Sequence, residues 1–270
     1  MSNPDVSRPL VMGVVNVTPD SFYDGGRYST TEAAIAHGRQ LVADGADVID
    51  VGGESSRPGA TAVPEEVELA RVIPVIEALA GEVRISVDTV KAGVAEAAVR
   101  AGATLINDVS ATLWEVAAWG GVGWVAMHMQ GSPATMQADP HYGDVVAEVT
   151  AFLLERARVA LEGGVKEVWI DPGIGFGKTM AHNLSLLRHL PELARAASDR
   201  GCAGVVVGTS RKRFIGLLAA PGSDQPAPMG DRFDGSLATA AGAMVAGARM
   251  VRVHDVAATL QAARLYGPAA

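Results

Sequence analysis

Eight short apolar runs, each followed by a longer amphipathic stretch, constrain this chain more than any other feature. The runs are LVMGVV at 10–15, DVIDV at 47–51, RISVD at 84–88 and TLIND at 104–108. They continue with GWVAMH at 123–128, EVWID at 167–171, AGVVVG at 203–208 and RMVRVH at 249–254. Near-continuous Val and Ile mark strands buried on both faces, the signature of a parallel sheet. In the gaps, Ala, Leu, Val and Ile recur at three- and four-residue spacing, most clearly over 31–44 and 65–80, and a last helix at 255–266 closes the chain. Eight such units predict an α/β fold: a single (β/α)8 TIM barrel of eight parallel strands, one domain spanning 1–270.

Composition narrows the partners. With 49% hydrophobic and 19% charged residues the chain can bury a large core, and nothing in it argues for disorder. A net charge of −8 and a pI near 5.2 exclude nucleic acid and anionic membrane surfaces as main partners, since both demand a basic footprint. An anionic substrate must then be met by local cations. The lone Cys202 excludes an intrachain disulfide and a multi-cysteine metal site, and its apolar neighbours predict a buried small hydrophobe. The segment 1–8 lacks the charged and apolar regions of a secretion signal, and no apolar stretch reaches the ~18 residues of a membrane span. A cytoplasmic enzyme is expected.

Turns after the helices are short and plain, whereas the unusual residues follow the strands, where barrels of this kind carry their chemistry. After the first strand, the loop 16–26 contains Pro19, Gly25 and Gly26 yet also Phe22 and Tyr23, and reads either as a self-packed loop or as a flap over substrate. After the second, Gly52-Gly53-Glu54-Ser55-Ser56-Arg57-Pro58-Gly59 reads either as an exposed turn or as tight backbone delivering Arg57 to an anion. Asp88, Asn107 and Asp171 end three separate strands. Each alone could cap the next helix, but together they form a set of acceptors suited to a nitrogen-rich fused ring.

The run Asp171-Pro172-Gly173-Ile174-Gly175-Phe176-Gly177-Lys178 fits neither a phosphate-binding P-loop, which needs Gly where Pro172 stands, nor a dinucleotide fingerprint, which needs Gly where Lys178 stands. What it offers is a flexible loop with one aromatic and one cation. Arg211, Lys212 and Arg213 open a helix, where adjacent cations are costly unless an anion is expected, and Arg252 and His254 project from the last strand on one side. His128 reads equally as a structural histidine or a substrate contact. His37, His141, His182 and His189 read as surface residues, and no His/Cys/Glu cluster indicates a structural zinc.

With those residues assembled, the chain resembles the dihydropteroate synthase family over essentially its whole length. The motifs are MGVVNVTPDSF at 12–22, DVGGESSRPGA at 50–60, SVDT at 86–89, NDVS at 107–110, MHMQG at 127–131, DPGIGFGK at 171–178, SRKRF at 210–214 and RVHDV at 252–256. The resemblance implies condensation of a dihydropterin pyrophosphate with p-aminobenzoate. It implies that Asp88, Asn107, Asp171 and Lys212 hold the pterin, with Arg252 stacked on it and Met127 lining the pocket. Arg57, Arg252 and His254 would bind the pyrophosphate with a Mg2+ whose direct protein ligand is Asn16. Phe22, Ser56, Pro58 and Phe176 would enclose p-aminobenzoate beside the stem of Lys212. Its carboxylate would lie at the N-terminus of the seventh helix, met by a backbone N–H or by Arg213, where some relatives have Ser. Asp171, Lys212, Arg252 and His254 would carry the catalysis. The resemblance also implies a homodimer, and it gives no expectation for the stretch 111–121, which is shorter than in many members. Two other readings compete: a catalytically silent pterin-binding paralogue, and a pterin-barrel methyltransferase, which would have no use for the pyrophosphate cations.

Overall fold

A computed structural model describes residues 8–18, 30–56, 59–220, 222–223 and 225–266. Its eight strands are β1 Leu10–Asn16, β2 Val48–Gly52, β3 Arg84–Asp88, β4 Leu105–Asp108, β5 Gly123–Met127, β6 Val168–Asp171, β7 Gly204–Val207 and β8 Met250–Val253. They pair in sequence order, all parallel, and β1 seals the cylinder against β8 from Leu10↔Met250 to Gly13↔Val253. All eight predicted strands are present, and the closed barrel is the fold the apolar runs predicted.

Around the barrel lie α1 Thr30–Ala43, α2 Glu65–Leu79, α3 Ala92–Arg100, α4 Trp114–Gly120 and α5 Val145–Glu162. They are followed by α6 Met180–Arg188, α7 Leu190–Asp199, α8 Arg213–Ala219, α9 Phe233–Val245 and α10 Val256–Leu265. The sixth and seventh connections thus hold two helices each, where the sequence reading expected one. In the sixth the break falls at His189, because Pro191 takes the first turn of α7 and cannot donate into a continuous helix. In the seventh, a short 3-10 turn, Met229–Arg232, precedes α9.

Two apolar clusters divide the work. The larger packs the outer faces of the strands against the helices, with Ile49, Ile76, Leu79, Ile106, Trp124 and Leu153 fully buried. The smaller fills the barrel interior with Met12, Val48, Leu105, Val125, Trp169, Val206 and Met250. That plug leaves the C-terminal ends of the strands as the open end. The register there sets Asn16, Gly52, Asp88 and Asn107 side by side on four adjacent strands.

Two smaller expectations need correction. Cys202 is half-buried rather than buried, because it lies in the turn between α7 and β7, and burial raises its thiol to about 11. His37 is not a surface residue: burial lowers its pKa, and its charged neighbours include Arg211 and Asp44. Among the described residues no helix is long and apolar enough to cross a membrane.

Candidate active site

A carboxylate inside β2 organises the barrel mouth. Asp50 is fully buried, and its Oδ2 accepts from Asn107 Nδ2 at 3.0 Å and from Arg252 Nε at 2.6 Å. Arg252 spends its other arm on Asp88, with Nη2 donating to Oδ2 at 2.8 Å. One guanidinium therefore ties two carboxylates from neighbouring strands, a geometry only a planar fork allows. The ring-holders Asp88 and Asn107 and the cation Arg252 thus meet in a single network. Sequence reading passed over Asp50, although a charged residue between Ile49 and Val51, in a strand buried on both faces, was the available signal.

The β6 loop supplies the second cluster. Asp171 is buried, and its Oδ1 accepts from the Gly173 amide at 2.7 Å. Lys212, at the start of α8, donates to the Ile174 carbonyl and lies 4.6 Å from the centre of the Phe176 ring. Met127 borders this cluster, pairing with Asp171 in register and lying against Gly173. Gly173 and Gly177 have φ of 64° and 61°, and a Cβ would meet the carbonyls of His128 and Gln130 at 1.8 and 2.3 Å. Only glycine fits there, since the β6 loop packs backbone to backbone on the β5 loop.

His128 and Lys178 find each other. Both are buried, with Lys178 Nζ 2.9 Å from His128 Nδ1. The cation that the sequence placed on a flexible loop is instead anchored inside the protein. At the far side of the mouth, His254 Nδ1 lies 3.0 Å from the Ser210 hydroxyl, which also accepts from the His254 amide at 3.2 Å. Arg211 does not await an anion: it pairs with Asp255 at 2.7 Å, in a backbone conformation with φ of 59°. Arg213 is exposed at the start of α8.

The remaining residues line the first two loops. Asn16 ends β1, and Ser56 lies in a segment tethered by Glu54, which accepts from the Val63 amide at 2.8 Å and from Lys91 at 2.7 Å. Phe22, Arg57 and Pro58 lie outside the described residues. The fourth loop is built by Asp108, which accepts from the amides of Ser110, Thr112 and Leu113 and from Trp124 Nε1, so it shapes backbone rather than the mouth. A cleft of about 360 Å3 opens at the opposite end of the barrel near Arg84 and Glu167. That end reads as stability, and Arg84 and Glu167 there are paired with each other at 2.7 Å.

Burial sets the electrostatics. It pushes Asp88 up to about 7 against the pull of Arg252, and it raises Asp171 against Lys212. It lowers Lys212 to about 8, with Asp171 working the other way. Burial alone would lower Arg252, but Asp50 and Asp88 hold the guanidinium above its ordinary value. His128 falls to about 3, through burial and then the charge of Lys178, so its ring is neutral. Several shifted groups converging on one open end make it the candidate functional centre.

Comparison with known proteins shows the family. The family of pterin binding enzymes matches residues 12–254. The chain is 46% identical over 269 residues to the dihydropteroate synthase of Escherichia coli strain K12, covering 97% of this chain and 92% of the other. A solved structure of Xanthomonas albilineans dihydropteroate synthase with 4-aminobenzoic acid is 49% identical, with a TM-score of 0.87 and coverage of 97% and 93%. Another of that enzyme, in complex with 7,8-dihydropteroate, is 46% identical, with a TM-score of 0.84 and the same coverage.

Proposed function

The chain belongs to the pterin binding enzyme family, and from that premise we propose that it acts, as one domain, as a dihydropteroate synthase. It is a transferase that condenses 6-hydroxymethyl-7,8-dihydropterin pyrophosphate with p-aminobenzoate, giving 7,8-dihydropteroate and pyrophosphate. The observation that carries the reading is the Arg252 fork, which joins the ring-holding acids to the cationic side of one mouth.

In this reading the network fixes which atoms face the pterin. Asn107 gives its Nδ2 to Asp50, which leaves its Oδ1 for a ring donor. Asp88 and Asp171 each spend one oxygen on the protein and keep the other for the ring. Met127 lines that pocket, and Arg252 stacks on the ring. The methylene C–O bond breaks as pyrophosphate departs toward Arg57, Arg252 and His254. The electron-rich dihydropterin delocalises the cation, and the Asp171 carboxylate lowers its energy. The arylamine nitrogen then bonds to the methylene and loses a proton. No protein nucleophile is needed, so positioning and electrostatics supply the rate. Phe22, Ser56, Pro58 and Phe176 enclose p-aminobenzoate beside Lys212, and its carboxylate meets Arg213.

Asn16 fits a Mg2+ shared with phosphate oxygens. Among the described residues none hydrogen-bonds its carboxamide, and one hard oxygen suits an ion that keeps most of its waters. Bound there, Mg2+ would neutralise charge on the leaving group. Exposed Val245 and Leu265 on the neighbouring helices α9 and α10, with Tyr266 just past α10, support a homodimer, which sedimentation checks. The cytoplasmic location expected from the sequence belongs to the same proposal.

The test is pyrophosphate release by the purified chain with pterin pyrophosphate and Mg2+, with and without p-aminobenzoate. Release that requires p-aminobenzoate supports the reading. Pterin binding with no such release would sink it in favour of the silent paralogue.

A further inference from the structure

Four successive carbonyls of the β6 loop are each held from outside the loop's own backbone. Ile174 O accepts from Lys212, Gly175 O from Gln137 at 2.7 Å, Phe176 O from Lys178 at 3.0 Å and Gly177 O from Tyr142 at 2.8 Å. Lys212 belongs to the proposed machinery. Of the other three, Lys178 is the one that brings an amine, at 2% exposure, where burial lowers its pKa to about 7 so that it is an ammonium below neutral pH.

Its surroundings are complete. Nζ lies 3.0 Å from Phe176 O, 2.9 Å from His128 Nδ1 and 3.3 Å from His128 O. An ammonium has three donors and no acceptor, so three acceptors match it one for one. His128 Nδ1 is then the acceptor and Nε2 carries the ring hydrogen. The imidazole is itself fixed, 5.0 Å and edge-on to Phe152 and 6.0 Å from Tyr142. A buried charge is retained only where it is fully satisfied, and here two of its three partners sit on β5's end and the third is the carbonyl of the aromatic residue at the mouth.

We propose that Lys178, locked by His128, is a positioning residue for the arylamine substrate: it fixes the Phe176 backbone and so holds the ring against which p-aminobenzoate lies. The inference rests on the reading of this mouth as a p-aminobenzoate site. Lys178 touches neither substrate. Its hydrogen bonds act on the p-aminobenzoate side, because Asp88 and Asn107 are held by the Asp50–Arg252 network and Asp171 by the Gly173 amide, while its charge also favours the ionised form of Asp171.

The experiment compares steady-state constants for wild type, Lys178→Met, His128→Leu and His128→Asn, alongside their melting temperatures. Methionine keeps the stem and removes the charge. Lys178→Met and His128→Leu are expected to raise KM for p-aminobenzoate about tenfold, with KM for the pterin pyrophosphate within about twofold, the signature of lost binding to one substrate. His128→Asn retains an acceptor near the Nδ1 position and is expected to restore a KM within about twofold of wild type. If Lys178→Met does not fold, the His128 pair decides. Unchanged KM values, an equal loss for both substrates, or no difference between His128→Leu and His128→Asn would overturn the proposal while wild-type turnover leaves the functional reading standing. A wild type without p-aminobenzoate-dependent release would instead remove the reading beneath it.

Discussion

Asp50 and Arg252 are 202 residues apart in the chain and 2.6 Å apart in space. Closing the barrel through β1 brings them together, and the guanidinium that reaches Asp50 reaches Asp88 as well. Replacement of Arg252 by Lys supplies the charge without the fork, so one of the two carboxylates loses its partner. Arg252→Lys is expected to lower kcat/KM at least about 100-fold, roughly 2.7 kcal/mol. Steady-state rates near wild type would show that the fork is dispensable.

Removing the shared acceptor should reach stability too. Asp50→Ala leaves Asn107 Nδ2 and the Arg252 Nε without their partner in a buried network. A cost of about 1–3 kcal/mol is expected, because two donors lose their acceptor while Arg252 keeps its ion pair with Asp88. Urea unfolding measures it, and a change under about 1 kcal/mol would mean that water replaces the carboxylate.

The pH dependence of kcat/KM should be a narrow bell. The ring-holding carboxylates must be ionised, and burial raises Asp88 to about 7 and lifts Asp171, so activity is lost as pH falls through those values. Lys212 must be an ammonium, and burial lowers it to about 8, so activity is lost as pH rises through that point. Stability follows the opposite sense. Between 3.8 and about 7 the folded state holds the proton on Asp88 that the unfolded chain releases, so stability falls as pH rises. From about 8 to 10.5 the folded state has shed the Lys212 proton that the unfolded chain keeps, so stability climbs again. A flat rate profile between about pH 6 and 9 would contradict these assignments.

Asp171→Asn separates catalysis from folding. A carboxamide oxygen can still accept from the Gly173 amide, while the charge that burial opposes is gone. Turnover is expected to fall more than about 100-fold, with the melting temperature higher by about 2–4 °C. Retained turnover with a lower melting temperature would count against the role given to this carboxylate.

Much of this was legible before any coordinates, for a physical reason. Strands buried on both faces announce themselves as Val and Ile runs, and residues that end them, such as Asp88, Asn107 and Asp171, are placed by the barrel rule alone. What escaped were partnerships across long sequence separations. Arg211 looked like a waiting anion site because Asp255 lies 44 residues away, and Lys178 looked mobile because His128 lies 50 away. Asp50 was hidden by its position inside a strand rather than at its end. Pro191 did carry a visible sign of the helix break, whereas no local pattern announces the half-burial of His37 under the β1 backbone.

The central claim is that one mouth holds the ring on its acidic side and the pyrophosphate on its cationic side. Calorimetric affinities for the pterin alcohol and for its pyrophosphate, in wild type, Asp171→Asn and His254→Ala, test it most directly. Asp171→Asn should weaken both ligands, and His254→Ala only the pyrophosphate. Equal losses in His254→Ala for ligands with and without the pyrophosphate would contradict it.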